Sequence, residues 1–152
     1  MIFLFDENFP ANAWRPVSGL FKKHEFHVVG KSQGFDRGLP DIELFSRARD
    51  RKIDAIVTGD VKQLLGLDRI NERTACRVAN LHWIGIPAQP RARGRLRVHG
   101  QIGQLITSLA QIVPMLEEAE NPQAFLLRRG PADTPLEDGY PQDLGTCVKI
   151  EM

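Results

Sequence analysis

The chain has 152 residues, 42% of them hydrophobic and 26% charged, and a formal net charge of +1. These are ordinary values for one globular domain with a sizeable core; they exclude disorder over the whole chain, and a charge of +1 identifies no partner by itself. Cys76 and Cys147 lie far apart without metal-ligand spacing, which reads as two reduced thiols in a cytoplasmic protein. No stretch approaches a membrane span. Met1–Phe5 is apolar, but Asp6 and Glu7 follow at once, so it does not read as a signal sequence.

Ile2–Phe5 is a continuous apolar run, the pattern of a strand buried on both faces of a parallel sheet. Pro10–Lys23 reads as a helix with Trp14, Val17, Leu20 and Phe21 as its apolar stripe, weakened by Pro16 and Gly19. His27–Val29 is a second strand closed by Gly30, and residues 34–39 form a loop. Pro40 suits the first turn of a helix in which Asp41 and Glu43 favour the dipole and Ile42, Phe45 and Ala48 face the core. Ile53–Thr58 is a third strand, ended by Gly59 and Asp60, and Val61–Leu67 a short helical turn or loop. Leu81–Ile86 is a fourth strand, stopped by Pro87. Residues 88–97 are a Pro- and Arg-rich loop. Gln101–Glu118 carries the clearest helical period, Ile102, Leu105, Ile106, Leu109, Ile112, Val113 and Leu116, with Pro114 near its end. Ala124–Leu127 reads as an edge strand and residues 130–152 as a Pro-, Gly- and Asp-rich tail.

Strands alternating with helices predict right-handed crossovers and a three-layer α/β/α sandwich around a mostly parallel sheet of four to five strands. Residues 1–120 form the expected domain and residues 121–152 the edge strand and irregular tail.

The carboxylates fall in an informative pattern. Asp6 ends the first strand, Asp60 follows the third, and Asp41 opens the helix leading into the third. In an open parallel sheet the carboxyl ends of the strands share one edge, where such folds bind ligands. Acids crowded there need a shared proton or a bound cation. Oxygen donors without His or Cys favour a hard ion, Mg²⁺ or Mn²⁺. The histidines His24, His27, His82 and His99 form no spaced ligand set, and Trp14 and Trp83 read as core. Arg91, Arg93, Arg95 and Arg97 alternate with small residues in a manner suited to tracking a phosphate backbone. Arg47, Arg49, Arg51 and Lys52 read as a solvated face.

Three segments resemble the PIN-like domain family in order and spacing: Phe5-Asp6-Glu7-Asn8 after an apolar strand, Pro40-Asp41-Ile42-Glu43-Leu44 at a helix start, and Thr58-Gly59-Asp60 at a strand end. The resemblance covers roughly the first two-thirds of the chain and is nearest to the toxin branch of bacterial toxin–antitoxin modules. It implies a metal-dependent endoribonuclease in which Asp6, Asp41 and Asp60 hold Mg²⁺ or Mn²⁺. Glu7, Asn8, Glu43, Thr58 and Lys62 would support them, and Arg91, Arg93, Arg95 and Arg97 would contact RNA. An antitoxin protein and a homodimer are the implied partners. Many relatives carry a further acid about two residues after the last aspartate; Lys62 stands here instead, with Asp68 beyond it as a substitute. The acids of the tail, Asp133, Glu137, Asp138 and Asp143, suggest an arm for a basic groove. Two other readings remain open. One is a catalytically inactive PIN-like module that binds RNA or protein. The other is a phosphoacceptor, receiver-like signalling domain, which would use Asp6, Glu7 and Asp60 but gives Asp41 no role.

Overall fold

The computed structural model describes residues 1–61, 70–87, 95–128 and 146–150. Strands Ile2–Phe5 (β1), Glu25–Val28 (β2), Ala55–Thr58 (β3), His82–Gly85 (β4), Ala124–Arg128 (β5) and Thr146–Ile150 (β6) form one sheet in the order β2-β1-β3-β4-β5-β6. β1 to β5 are parallel, and β6 joins β5 antiparallel. The described helices are Trp14–Leu20 (α1), Asp41–Asp50 (α2), Ile70–Val78 (α3) and Arg95–Glu117 (α4). Among the described residues no helix is long and apolar enough to cross a membrane.

Alternation along the strands divides the core in two. Phe3 and Phe5 of β1, Ala55 and Val57 of β3, Ile84 of β4 and Phe125 and Leu127 of β5 face one side. There they meet Val17 of α1 and Leu105, Leu109, Ile112, Val113 and Leu116 of α4. Leu4, Ile56, Trp83, Ala124 and Leu126 face the other, against Leu44, Phe45 and Ala48 of α2 and Cys76 of α3. Burial on both faces explains the apolar runs of β1 and β3. The result is the expected three-layer α/β/α fold.

Several local expectations need correction. Leu20 is 65% and Ile42 59% exposed, not buried. In α2 the buried residues are Leu44, Phe45 and Ala48, a face of i, i+1 and i+4, and Ile42 projects away from it. α1 is shorter than predicted because residues 11–13 are a turn, with the Ala13 N–H donating to the Pro10 carbonyl. α3 escaped prediction because Cys76 is its one buried residue, which leaves no apolar stripe to read. α4 begins at Arg95, inside the segment read as loop. β5 is an interior strand, since Thr146–Ile150, in the supposed irregular tail, pairs with it from Arg128–Thr146 to Ala124–Ile150. The sheet thus has five parallel strands and a sixth antiparallel one.

The crossovers also differ from expectation. From β2 to β3 and from β3 to β4 the chain moves one way along the sheet, with α2 and α3 on the same face. From β1 to β2 it moves the other way with α1 on the opposite face, which is the same hand. From β4 to β5 it moves in the first direction, but α4 lies on the face of α1. That connection has the opposite hand to the other three, so the strong preference for right-handed crossovers does not hold for all four. Its consequence is local: α4 enters beside the loop that follows β1.

Candidate functional site at the carboxyl edge of β1 and β3

In the 2-1-3-4-5 order of the parallel strands, successive connections diverge between β1 and β3. A crevice opens outside the carboxyl ends at such a point, where doubly wound sheets bind ligands. Asp6 follows β1 there, and Thr58, Gly59 and Asp60 end β3.

Asp6 continues the ladder, its N–H donating to the Val57 carbonyl at 2.9 Å. Asp6 is only 6% exposed, and its carboxylate is held by three donors. The Glu7 N–H reaches Oδ1 at 2.6 Å, while the Thr58 hydroxyl at 2.8 Å and the Asn8 amide at 3.1 Å both reach Oδ2. Hydrogen bonds to a carboxyl group are among the stronger ones in proteins and offset the cost of its burial. Thr58 Oγ1 also accepts the Asp60 N–H at 3.0 Å. One hydroxyl therefore ties the Asp6 side chain to the backbone of Asp60.

Gly59 is required by close approach. A Cβ there would collide with the Asn8 carbonyl oxygen, and Gln101 Nε2 would lie 3.6 Å from it. The loop after β1, the end of β3 and α4 thus converge on one glycine. Gln101 is 4% exposed and donates from Nε2 to the Ile86 carbonyl at 3.1 Å, one turn of helix before Gln104, which donates to the Leu127 carbonyl at 2.6 Å. These amides satisfy carbonyls at the ends of β4 and β5. Beside them is an open cleft of about 410 Å³, walled by Asn8, Phe9, Pro10, Ala11, Val98 and Gln101, with Glu7 at its margin.

The other expected residues divide as follows. Asp41 opens α2, half-buried; a helix that crosses from β2 to β3 begins at the carboxyl edge. Its loop is tied to the site by the Gly38 N–H, which donates to Glu7 Oε2 at 3.0 Å. Glu43 is turned to Arg47 in an i, i+4 ion pair of 2.6 Å. Arg95 is exposed in the first turn of α4, and the backbone of Arg97 lies in the same turn. Lys62, Asp68, Arg91, Arg93 and the tail acids Asp133, Glu137, Asp138 and Asp143 lie outside the described residues. Sequence reasoning missed Gln101 and Gly59. A glutamine in a helix carries no mark of burial, and Gly59 read only as a turn residue.

Among the described residues no three His, Cys, Asp or Glu side chains form a group that could hold a metal ion, so Asp41 is not gathered with Asp6 and Asp60 into a ligand set. Two carboxylates, Asp6 and Asp60, follow the ends of neighbouring strands, a number that would suit a hard cation held in a more open form. Mg²⁺ is commonly held by one or two carboxylates, with water and substrate phosphate completing its shell. No protein-family model, curated protein or solved structure matches the chain.

Proposed function

We propose that the chain is a metal-dependent endoribonuclease of the PIN-like class, acting as the toxin of a toxin–antitoxin module. The observation that carries this reading is the buried Asp6 carboxylate at the β1–β3 crevice, fixed by Thr58, which also holds the backbone of Asp60. A buried carboxylate held in one orientation at a ligand-binding edge is costly to maintain without a use. Asp6 and Asp60 would hold Mg²⁺ or Mn²⁺, and Asp41 opens α2 at the same edge without joining their ligand set. When bound, such an ion activates a coordinated water and stabilises charge on the attacked phosphodiester. Asn8, Thr58 and the Glu7 N–H keep Asp6 in one orientation, and Arg95, exposed in the first turn of α4, would meet the RNA backbone. RNA as substrate, an antitoxin as partner and a homodimer rest on the family resemblance.

The test is cleavage of a mixed RNA pool by purified protein with Mg²⁺ or Mn²⁺ added, for wild type, Asp6→Asn and Asp60→Asn. Wild type should cut only with the ion, and each variant should lose about 100-fold or more. The second reading is a non-catalytic module that binds RNA, which the sequence leaves open through Lys62 in place of a further acid. Saturable RNA binding without cleavage in any divalent ion would replace the first reading with that one.

A further inference from the structure

We infer that the cleft between the loop after β1 and the start of α4 is a subsite for one unpaired nucleotide of single-stranded RNA, next to the phosphate presented to Asp6. The inference rests on the nuclease reading for its substrate class.

Four observations carry it. First, cleft and carboxylate share a residue: Asn8 lines the cleft and donates to Asp6 Oδ2 at 3.1 Å. A group seated in the cleft is therefore an immediate neighbour of whatever Asp6 engages. Second, the walls are of the right kind. Pro10, Ala11 and Val98 offer an apolar surface for a base, and Phe9 behind them is locked in the core, 2% exposed and stacked on Phe5 at 5.4 Å. A rigid apolar wall can cover the flat face that every base presents, without reading its edge. Third, Gln101 is buried in the wall with one amide N–H committed to the Ile86 carbonyl. That bond fixes the carboxamide, and no donor engages its Oε1 among the described residues, so a fixed acceptor remains for a base edge. Fourth, the cleft exists because α4 crosses on the unexpected face. The segment that departs from the topological preference is the one that brings Val98 and Gln101 to Asn8. Such departures concentrate at functional sites.

The volume, about 410 Å³, lies toward the small end of ligand sites, and the cleft is open along its length. This suits one nucleotide of a polymer that enters and leaves, rather than an enclosed metabolite. Arg95, exposed and one turn before Val98, lies on the same side of α4 and would meet a flanking phosphate.

The test is fluorescence anisotropy of a labelled single-stranded RNA oligonucleotide in EDTA, where cleavage is silent. Val98→Trp fills the cleft from a half-exposed helix position, while Met115→Trp adds the same bulk at an exposed position near the other end of α4, outside the cleft. Ala11→Phe fills it from the opposite wall, should Val98→Trp fail to fold. Each filling variant should weaken binding about tenfold or more, and Met115→Trp should bind like wild type. Wild-type affinity in both filling variants, or no RNA binding by wild type, would overturn the subsite. The two proposals fail separately. Cleft-dependent binding with no cleavage in any metal ion keeps the subsite and removes the nuclease. Cleavage that needs Asp6 but is indifferent to Val98→Trp and Ala11→Phe does the reverse.

Discussion

At the scale of single residues, Thr58 is the link between the two acids that follow β1 and β3. Its hydroxyl donates to Asp6 Oδ2 and accepts from the Asp60 N–H, and the side chain is 1% exposed. Thr58→Val keeps the shape and removes both bonds, leaving the Asp60 N–H and one carboxylate lone pair without that partner. The expected cost is about 1–3 kcal/mol of stability, read from denaturant unfolding. Residues that orient a metal ligand typically change affinity by about 10–100-fold, so Mn²⁺ binding by calorimetry should weaken on that scale in Thr58→Val and recover in Thr58→Ser. Equal Mn²⁺ affinity in wild type and Thr58→Val would sink the idea that Thr58 positions Asp6. The residues of this cluster were legible in sequence because polar side chains ended apolar strands. Glu43 was legible only in part: a first-turn acid four residues before Arg47 is equally a candidate for the i, i+4 pair it forms. The buried amide of Gln101 was not legible, since its burial is decided by where α4 docks.

At the scale of elements, the β3 end and the loop after β1 approach too closely for any side chain at Gly59. The obstructing atom is the Asn8 backbone carbonyl oxygen, which cannot swing aside as a side chain would. Gly59→Ala should therefore move one of the two segments, at about 1–3 kcal/mol. Because Asn8 would shift with its loop, the thermal midpoint and Mn²⁺ affinity should fall together; an unchanged midpoint would show that the segments have slack. Strand and helix recognition from sequence followed the strength of the pattern. β1, β3, β4 and α4 have continuous runs or four-turn periods, and they were found. α3 buries only Cys76 through its own length, and β6 is embedded in a tail rich in Pro, Gly and Asp, so neither produced a signal. The start of α4 was obscured by the arginines and Gly100 that precede its apolar stripe.

At the scale of the whole molecule, the sheet separates two edges with different chemistry. The carboxyl edge holds Asp6, Thr58, Asp60 and the cleft. The amino edge is closed by a separate polar set, in which the Ile2 N–H donates to Asp54 Oδ2 at 2.6 Å and the Gln123 N–H donates to His82 Nδ1 at 3.0 Å. His82 must have Nδ1 unprotonated to accept that bond. Burial lowers its pKa from the ordinary 6.5, opposed by the charge of Asp54, and burial likewise lowers that of His24. A histidine with a lowered folded-state pKa binds its proton more tightly in the unfolded chain. Its contribution to stability is therefore intact above 6.5 and is lost as pH falls below 6.5 toward the folded-state value. Unfolding free energy should decline from neutral pH to about pH 5, before most carboxylates titrate. His82→Gln can keep an acceptor for the Gln123 N–H while removing the titration. It should flatten that decline in chemical denaturation curves and leave Mn²⁺ binding at the opposite edge unchanged. An equally steep decline in wild type and His82→Gln would assign the acid sensitivity to His24 or to other groups.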